Sequence, residues 1–385
     1  MTGVQTCALP IYLDYASTTP ICPEILKTYT RLLEKHYGNS DSLHELGRET
    51  GKLMEQSRAQ IAQLLHVYKD EILFTSCASE SNNAAIKGAA WKYANRGKHL
   101  ITTCVEHSSI HNAMEQLQEV FGYEVTYLPV NAKGCVEVED LKQALRKDTV
   151  LVSMMMVNNE TGAVNAIREC AQYVHANSRA LFHMDGVQAL GKLEVDLSCV
   201  DLATFSAHKI YGLKGSAILY KKRNVELVPL ISGGQQENGL RAGTSNAPTN
   251  IVFAKTLRLA MEQREDAYAH VQKLNSYLRK ALSTMEDIVI NSPEEGSPFI
   301  LNISNLRIGS EIMLNALNAK GFAVSAQSTC SSHSKAVSAV LLAMGLGEQR
   351  ATHAIRISLS HLTTREEVDA FLQALKEINH DYRTK

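Results

Sequence analysis

Between residues 71 and about 221, short apolar runs alternate with segments of helical spacing, and no other feature constrains the fold as much. Residues 71–76, 99–105, 123–130, 150–157, 180–184 and 217–220 read as strands, and 79–93, 138–145 and 167–176 as helices between them. This βαβ alternation argues an α/β fold with a mostly parallel sheet covered by helices. Ligands of such a sheet lie at the carboxyl ends of its strands.

A long helical stretch follows over 251–285, and then the pattern changes. Residues 288–291, 299–303, 322–325 and 354–359 read as strands, with helices expected over 311–320, 338–344 and 364–378. This argues a second, smaller α+β domain. The expected division is a segment over 12–25 lying near the small domain and the active site, a large domain over 26–260 and a small one over 261–385. Residues 1–11 read as the translation of a common sequencing adapter, with GTG taken as the start, and are set aside; the alternative is a genuine N-terminal arm.

The chain has 385 residues, 45% hydrophobic and 21% charged, enough for two domains with real cores. A net charge of -1 gives no electrostatic case for direct nucleic-acid binding or for an acidic membrane surface. No apolar run reaches the ~18 residues of a membrane span. Eight scattered cysteines, none in a Cys-x-x-Cys pair, suit reduced thiols in a cytoplasmic enzyme and give no metal site.

Two strand ends carry chemistry. Phe182-His-Met-Asp-Gly-Val-Gln188 puts an acid at the end of one apolar run, and Phe205-Ser-Ala-His-Lys209 puts a lysine after a later one. Pyridoxal 5'-phosphate needs this pair: Lys209 for the Schiff base, and Asp185 to keep the pyridine nitrogen protonated. Further segments sit at other strand ends. Thr75-Ser-Cys-Ala-Ser-Glu-Ser-Asn-Asn83 leads from a strand into a helix N-terminus, which suits a phosphate. Glu106-His107 and Met156-Val-Asn-Asn-Glu-Thr-Gly162 also end strands. Ser232-Gly-Gly-Gln-Gln-Glu-Asn-Gly-Leu-Arg-Ala-Gly-Thr-Ser-Asn246 is a Gly-rich loop. Ser325-Ala-Gln-Ser-Thr-Cys-Ser-Ser332 sets a cysteine among small polar residues, and Ala354-Ile-Arg-Ile-Ser-Leu-Ser360 puts an arginine in a strand.

In this order and spacing, from Tyr12 essentially to the end of the chain, the segments resemble the NifS/IscS cysteine desulfurases, in the class V aminotransferase branch of pyridoxal-phosphate fold type I. Tyr12-Leu-Asp-Tyr-Ala-Ser-Thr-Thr-Pro20 resembles the family's opening segment. The resemblance implies a seven-stranded, mostly parallel sheet in the large domain. It places Ala78, Ser79, Ser206 and His208 at the phosphate, and His107 against the pyridine ring, moving protons. Asn159 and Gln188 fall at the phenolic oxygen, Asn159 also at the substrate, and Arg356 on the substrate carboxylate. Thr244 crosses a homodimer interface to the partner's phosphate, and Cys330 becomes the nucleophile that takes sulfur from L-cysteine, leaving L-alanine. The persulfide then passes to an acceptor protein; iron–sulfur assembly, tRNA thiolation and thiamine synthesis all stay open.

The chain departs from the family pattern at Cys77 (usually Gly), Ser79 (Thr), Asn165-Ala166 (Gln-Pro), Gln235 (Gly), Gln327 (Gly), Thr329 (Ala) and Ser360 (Gly). Cys77 matters only if its position needs a positive φ. The rivals are a selenocysteine lyase, another class V enzyme such as a transaminase, and a sulfur-relay hub that works mainly through docked partners. A pyridoxal-phosphate-fold protein without activity is disfavoured by Lys209, Asp185 and Cys330 together.

Overall fold

The computed structural model describes residues 10–326 and 337–383. The chain forms two compact units. The larger takes Thr18–Asn158 and Ala163–Glu265; the smaller takes residues up to Ser17, Asn159–Gly162 and those from Asp266 onward.

Strand β1 (Ile11–Tyr12) belongs to the smaller unit. The larger unit then runs through helices α1 (Pro23–Lys35) and α2 (Glu45–Leu64), β2 (Ile72–Thr75), α3 (Ala78–Lys92), β3 (His99–Thr103), α4 (Ser108–Phe121) and β4 (Glu124–Leu128). It continues with α5 (Val138–Ala144), β5 (Thr149–Met155), α6 (Ile167–Asn177), β6 (Leu181–Asp185), β7 (Leu202–Ser206), β8 (Ala217–Lys221) and the first part of α7 (Ala247–Leu282). Its seven strands form one sheet in the order β2-β8-β7-β6-β5-β3-β4. Only β8 breaks the parallel pattern, running antiparallel to β2 and β7.

Helices cover both faces, so β3, β5, β7 and β8 are buried along their whole length. Ile101 and Val152 join a core with Met54, Cys170 and Val174, on α2 and α6; their neighbours Leu100 and Leu151 join another with Ile86, Ile110 and Leu117, on α3 and α4. The two-residue period of a strand sends alternate side chains to opposite faces. Helices α1, α2 and α4 are additions to the elements read from the sequence. Helix α4 follows from Ile110, Ala113, Met114 and Leu117, which are buried at i, i+3, i+4 and i+7, and it ends at Gly122 with φ 67°.

The smaller unit holds β9 (Ile288–Ile290), β10 (Ile300–Asn305), α8 (Ser310–Ala319), β11 (Phe322–Ala323), α9 (Ala339–Ala343), α10 (Glu348–Thr352), β12 (Ala354–Ser358) and α11 (Arg365–Arg383). Strands β12-β10-β9 make an antiparallel sheet, and β1 pairs in parallel with β11. Leu13, Leu278, Ile303, Met313, Ile357, Phe371 and Leu375 share its core. Ile11 pairs with Phe322 through backbone atoms, and its side chain packs against the same core.

The division differs from the expected boundaries for local reasons. Thr18 to Cys22 fall with the larger unit because Thr19 N donates to His208 O and Cys22 N to Tyr211 O. Residues 159–162 fall with the smaller, where Asn302 Nδ2 donates to Glu160 O and Ser297 N to Gly162 O. Among the described residues no helix is long and apolar enough to cross a membrane.

Candidate active site

The carboxyl ends of β5, β6 and β7 lie side by side in the larger unit, with Met155 paired to Asp185 and Asp185 to Thr204. Asp185 closes β6, and its Oδ1 accepts from Val187 N (3.0 Å). Its Oδ2 accepts from Asn82 Nδ2 (3.0 Å), which reaches it from buried α3. A Cβ at Gly186 would stand 2.3 Å from Phe205 Cε1, so any larger residue would have to displace that buried ring. Gln188 is buried, and its Oε1 accepts from Lys192 Nζ (3.0 Å), which turns the amide so that its NH₂ is the remaining donor end.

The turn between β2 and α3 carries Ala78 and Ser79, two of the residues expected at the phosphate. Cys77 is the N-cap, with φ -164° and ψ 163°, and its Sγ accepts from Glu80 N (3.4 Å). That backbone is extended and open to any residue, so the replaced glycine was not needed for its conformation. Ala78 and Ser79 open α3, where the unpaired N–H groups of a helix start favour an anion. Ser206 Oγ is buried with no hydrogen-bond partner among the described residues. A buried hydroxyl without a partner is costly unless a bound group satisfies it.

Lys209 ends a single turn, Ala207–Lys209, directly after β7. Thr19 grips this turn from both sides: its Oγ1 donates to His208 O (3.0 Å) and accepts from Tyr211 N (2.7 Å). Tyr211 takes the left-handed φ of 67°, a strained conformation that such a grip sustains. His208 Nδ1 pairs with Thr18 Oγ1 (3.1 Å). Burial, with Lys209, Lys214 and Lys192 nearby, pushes the His208 imidazole down to about 4, so it is neutral at physiological pH.

His107 caps α4, and its Nδ1 meets Ser109 N (3.2 Å) and Ser109 Oγ (2.9 Å). Burial lowers its pKa; the charge of Asp185 opposes this and that of Lys209 adds to it. His107 therefore lies within electrostatic reach of both Asp185 and Lys209. Glu106, beside His107, has a buried carboxyl. Its Oε1 accepts from Thr103 Oγ1 (2.7 Å) and Met155 N (2.9 Å), while Oε2 has no partner among the described residues. Burial raises its pKa to about 8, so it is a neutral acid at pH 7.

The loop carrying Thr244 is anchored within the same unit. Glu237 accepts from Arg58 Nη1 and Nη2 (2.7 and 2.8 Å) and from Phe74 N (3.0 Å), and Arg241 Nε donates to Glu80 (2.9 Å). Thr244 itself is exposed. Gln235, at φ -88°, needs no glycine; the non-glycine residues of the loop at positive φ are Glu237 and Asn238.

The smaller unit holds Arg356, which is 2% exposed. Its Nη2 donates to Asp14 Oδ1 (2.8 Å) and Ser17 Oγ (2.6 Å), and its Nη1 to the backbone O of Asn159 (2.8 Å). Its Nε is buried without a partner among the described residues. Ser325 bridges Arg356 on the chain leading toward Cys330. Cys330 itself, like Cys7, Gln327 and Thr329, lies outside the described residues.

Asn82, Ser109, Glu106, Lys192, Thr19 and Asp14 were not singled out by sequence reasoning for these roles. Only Ser109, two residues after a histidine at a helix start, carries a readable signal, since N-cap side chains bond the N–H groups that follow. The residues present fit pyridoxal phosphate: a carboxylate held by N–H donors, a lysine on an adjoining strand end, a helix start and a partnerless buried hydroxyl.

The aminotransferase class-V family model matches residues 11–371. A NifS/IcsS protein homolog of Lactobacillus delbrueckii subsp. bulgaricus is 42% identical over 377 residues, covering 96% of this chain and 97% of its own. The cysteine desulfurase IscS of Dictyoglomus turgidum is 39% identical over 97% of this chain and 95% of its own. A solved NifS-like protein superposes with a TM-score of 0.91 at 37% identity, over 97% of this chain and all of that one. The chain thus belongs to the class V aminotransferases, which are pyridoxal-phosphate-dependent, and within them to the NifS/IscS group.

Proposed function

We propose that this chain is a cysteine desulfurase: it converts L-cysteine to L-alanine and carries the released sulfur as a persulfide on Cys330. The observation that carries this reading is the buried Asp185 carboxylate at a strand end, within electrostatic reach of His107, which in turn feels the charge of Lys209. Pyridoxal phosphate, when bound, supplies an electron sink for the carbon atoms of the substrate.

The protein's residues do the rest. Ala78, Ser79, Ser206 and His208 hold the phosphate, Gln188 and Asn159 donate toward the ring oxygen, and Asp185 accepts the proton-bearing ring nitrogen. Lys209 anchors the cofactor and, with His107, moves protons. Arg356 binds the substrate carboxylate, a task suited to its planar fork of donors. The Cys330 thiolate attacks the substrate sulfur. An S–S bond forms, the C–S bond breaks with its electron pair left on carbon, and a proton completes alanine.

A second copy of the chain completes the enzyme, with Thr244 reaching the partner's phosphate. Support comes from the exposed Leu26, Leu33, Tyr37, Leu43 and Leu46, apolar surface on α1, the connection after it and the start of α2. The persulfide passes to an acceptor protein of iron–sulfur assembly or of tRNA or cofactor thiolation. None of the six described cysteines forms a disulfide among the described residues, in keeping with work in the cytoplasm.

The test compares the parent with Cys330→Ala, measuring alanine and sulfide from L-cysteine with reductant present. Equimolar products, lost in the variant while the cofactor absorbance stays, are expected. A cofactor-loaded parent that releases no alanine would sink the reading.

A further inference from the structure

One amide joins the two groups on which the ring chemistry turns. Asn82, fully buried on α3, donates from Nδ2 both to Asp185 Oδ2 (3.0 Å) and to Ser109 Oγ (2.9 Å). Its two N–H groups are thereby used. Because Ser109 Oγ accepts from Asn82, its hydroxyl hydrogen is left for His107 Nδ1 (2.9 Å), which also faces the backbone N–H of Ser109 (3.2 Å). A ring nitrogen that meets a backbone N–H is an acceptor, so the neutral imidazole carries its proton on Nε2. Asn82 Oδ1 is buried without a partner among the described residues. Turning the amide over would aim that oxygen at the Asp185 carboxylate, so the direction of the chain is determined by charge.

We propose that Asn82 and Ser109 are positioning residues that lock His107 in the Nε2–H tautomer and tie its ring to Asp185, so that His107 exchanges protons through Nε2 alone. The need for such an exchange rests on the desulfuration reading; the tautomer does not. An amide suits this position better than a carboxylate, because it can donate twice and adds no negative charge beside Asp185.

The charged groups facing His107 are Asp185 on β6 and Lys209 after β7. Removing the Ser109 hydroxyl takes away a donor that favours the unprotonated Nδ1, so the pKa of His107 rises.

The test uses the cofactor-loaded protein and three variants: Ser109→Ala, Asn82→Ala and, as a conservative rescue, Ser109→Thr. ¹⁵N-imidazole spectra, with His107→Asn to assign the signal, read the tautomer without reference to turnover. The parent shows Nε2–H and an accepting Nδ1; the two alanine variants gain Nδ1–H population. In turnover, kcat for alanine release falls about tenfold or more in both, KM for L-cysteine changes little, and the acid limb of the pH profile moves upward. Ser109→Thr restores all three.

A parent with Nδ1–H, or alanine variants with the parent's spectrum, kcat and pH profile, would overturn the inference. An inactive parent with the expected tautomer would remove the desulfuration reading and leave the lock standing.

Discussion

Asp185 and Arg356 are both buried charges in their own units, but Asp185 is held by neutral donors and Arg356 by a carboxylate. Asp185 takes hydrogen bonds from an amide and a backbone N–H, neither of which cancels its charge. Arg356 already spends one nitrogen on Asp14, with Ser17 and the Asn159 carbonyl completing the set. A group held by dipoles keeps its full charge for a ligand. A group held by a counter-ion keeps its orientation and offers only what remains, here Nε–H and the second N–H of Nη1 among the described residues. The first arrangement suits an electronic role, and the second suits recognition of one fork-shaped group.

The comparison breaks most sharply at Asp185. In Asp185→Asn the charge is gone and the new amide NH₂ faces one of the two N–H donors, so alanine formation should fall about a thousandfold with the cofactor still bound. Steady-state rates with cofactor stoichiometry check this, and a loss below tenfold would mean that the charge is not the point.

Glu106 sharpens the contrast, because it is a carboxyl in the same neighbourhood without donors to its second oxygen. Its folded pKa of about 8 lies above the ordinary 4.5, so the folded state binds the proton more tightly. The stability it contributes is full below about pH 4.5 and is lost as pH climbs through 8, a decline of order 5 kcal/mol. Denaturant titrations of the parent at pH 5 and 8.5 should show that decline, and Glu106→Gln should flatten it.

The smallest effect is expected at Arg356→Lys, which keeps the charge and loses the fork. KM for L-cysteine should rise about tenfold, with kcat changed less. An equal fall in kcat alone would place Arg356 in the chemical step and erase the distinction drawn above.

The sheet and most strand-end residues were legible because each has a local signature: an apolar run, then a small or polar residue at its end. Asp185 and Lys209 were read that way, whereas His107 and Ser206 came from the family resemblance. The role of Asn82 was read by neither route, since its meaning lies in a residue 103 positions away. Likewise Glu237 acquires its role from Arg58, 179 positions back. The departures at Cys77 and Gln235 were unreadable for another reason: whether a glycine can be replaced depends on φ, and both backbones proved open to any residue. The helices α1, α2 and α4 went unread, although the buried spacing on α4 was present to be seen.

The division of the chain has a consequence in time. Every hydrogen-bond partner described for Asp185, His107 and the Lys209 turn precedes Asp266, whereas Asp14 must await Arg356, 342 residues later. During synthesis at about 5–20 residues per second, the larger unit's share of the candidate site is complete several seconds before Arg356 is made. A nascent chain can therefore anchor the Lys209 turn before the anchors of Arg356 have anything to hold.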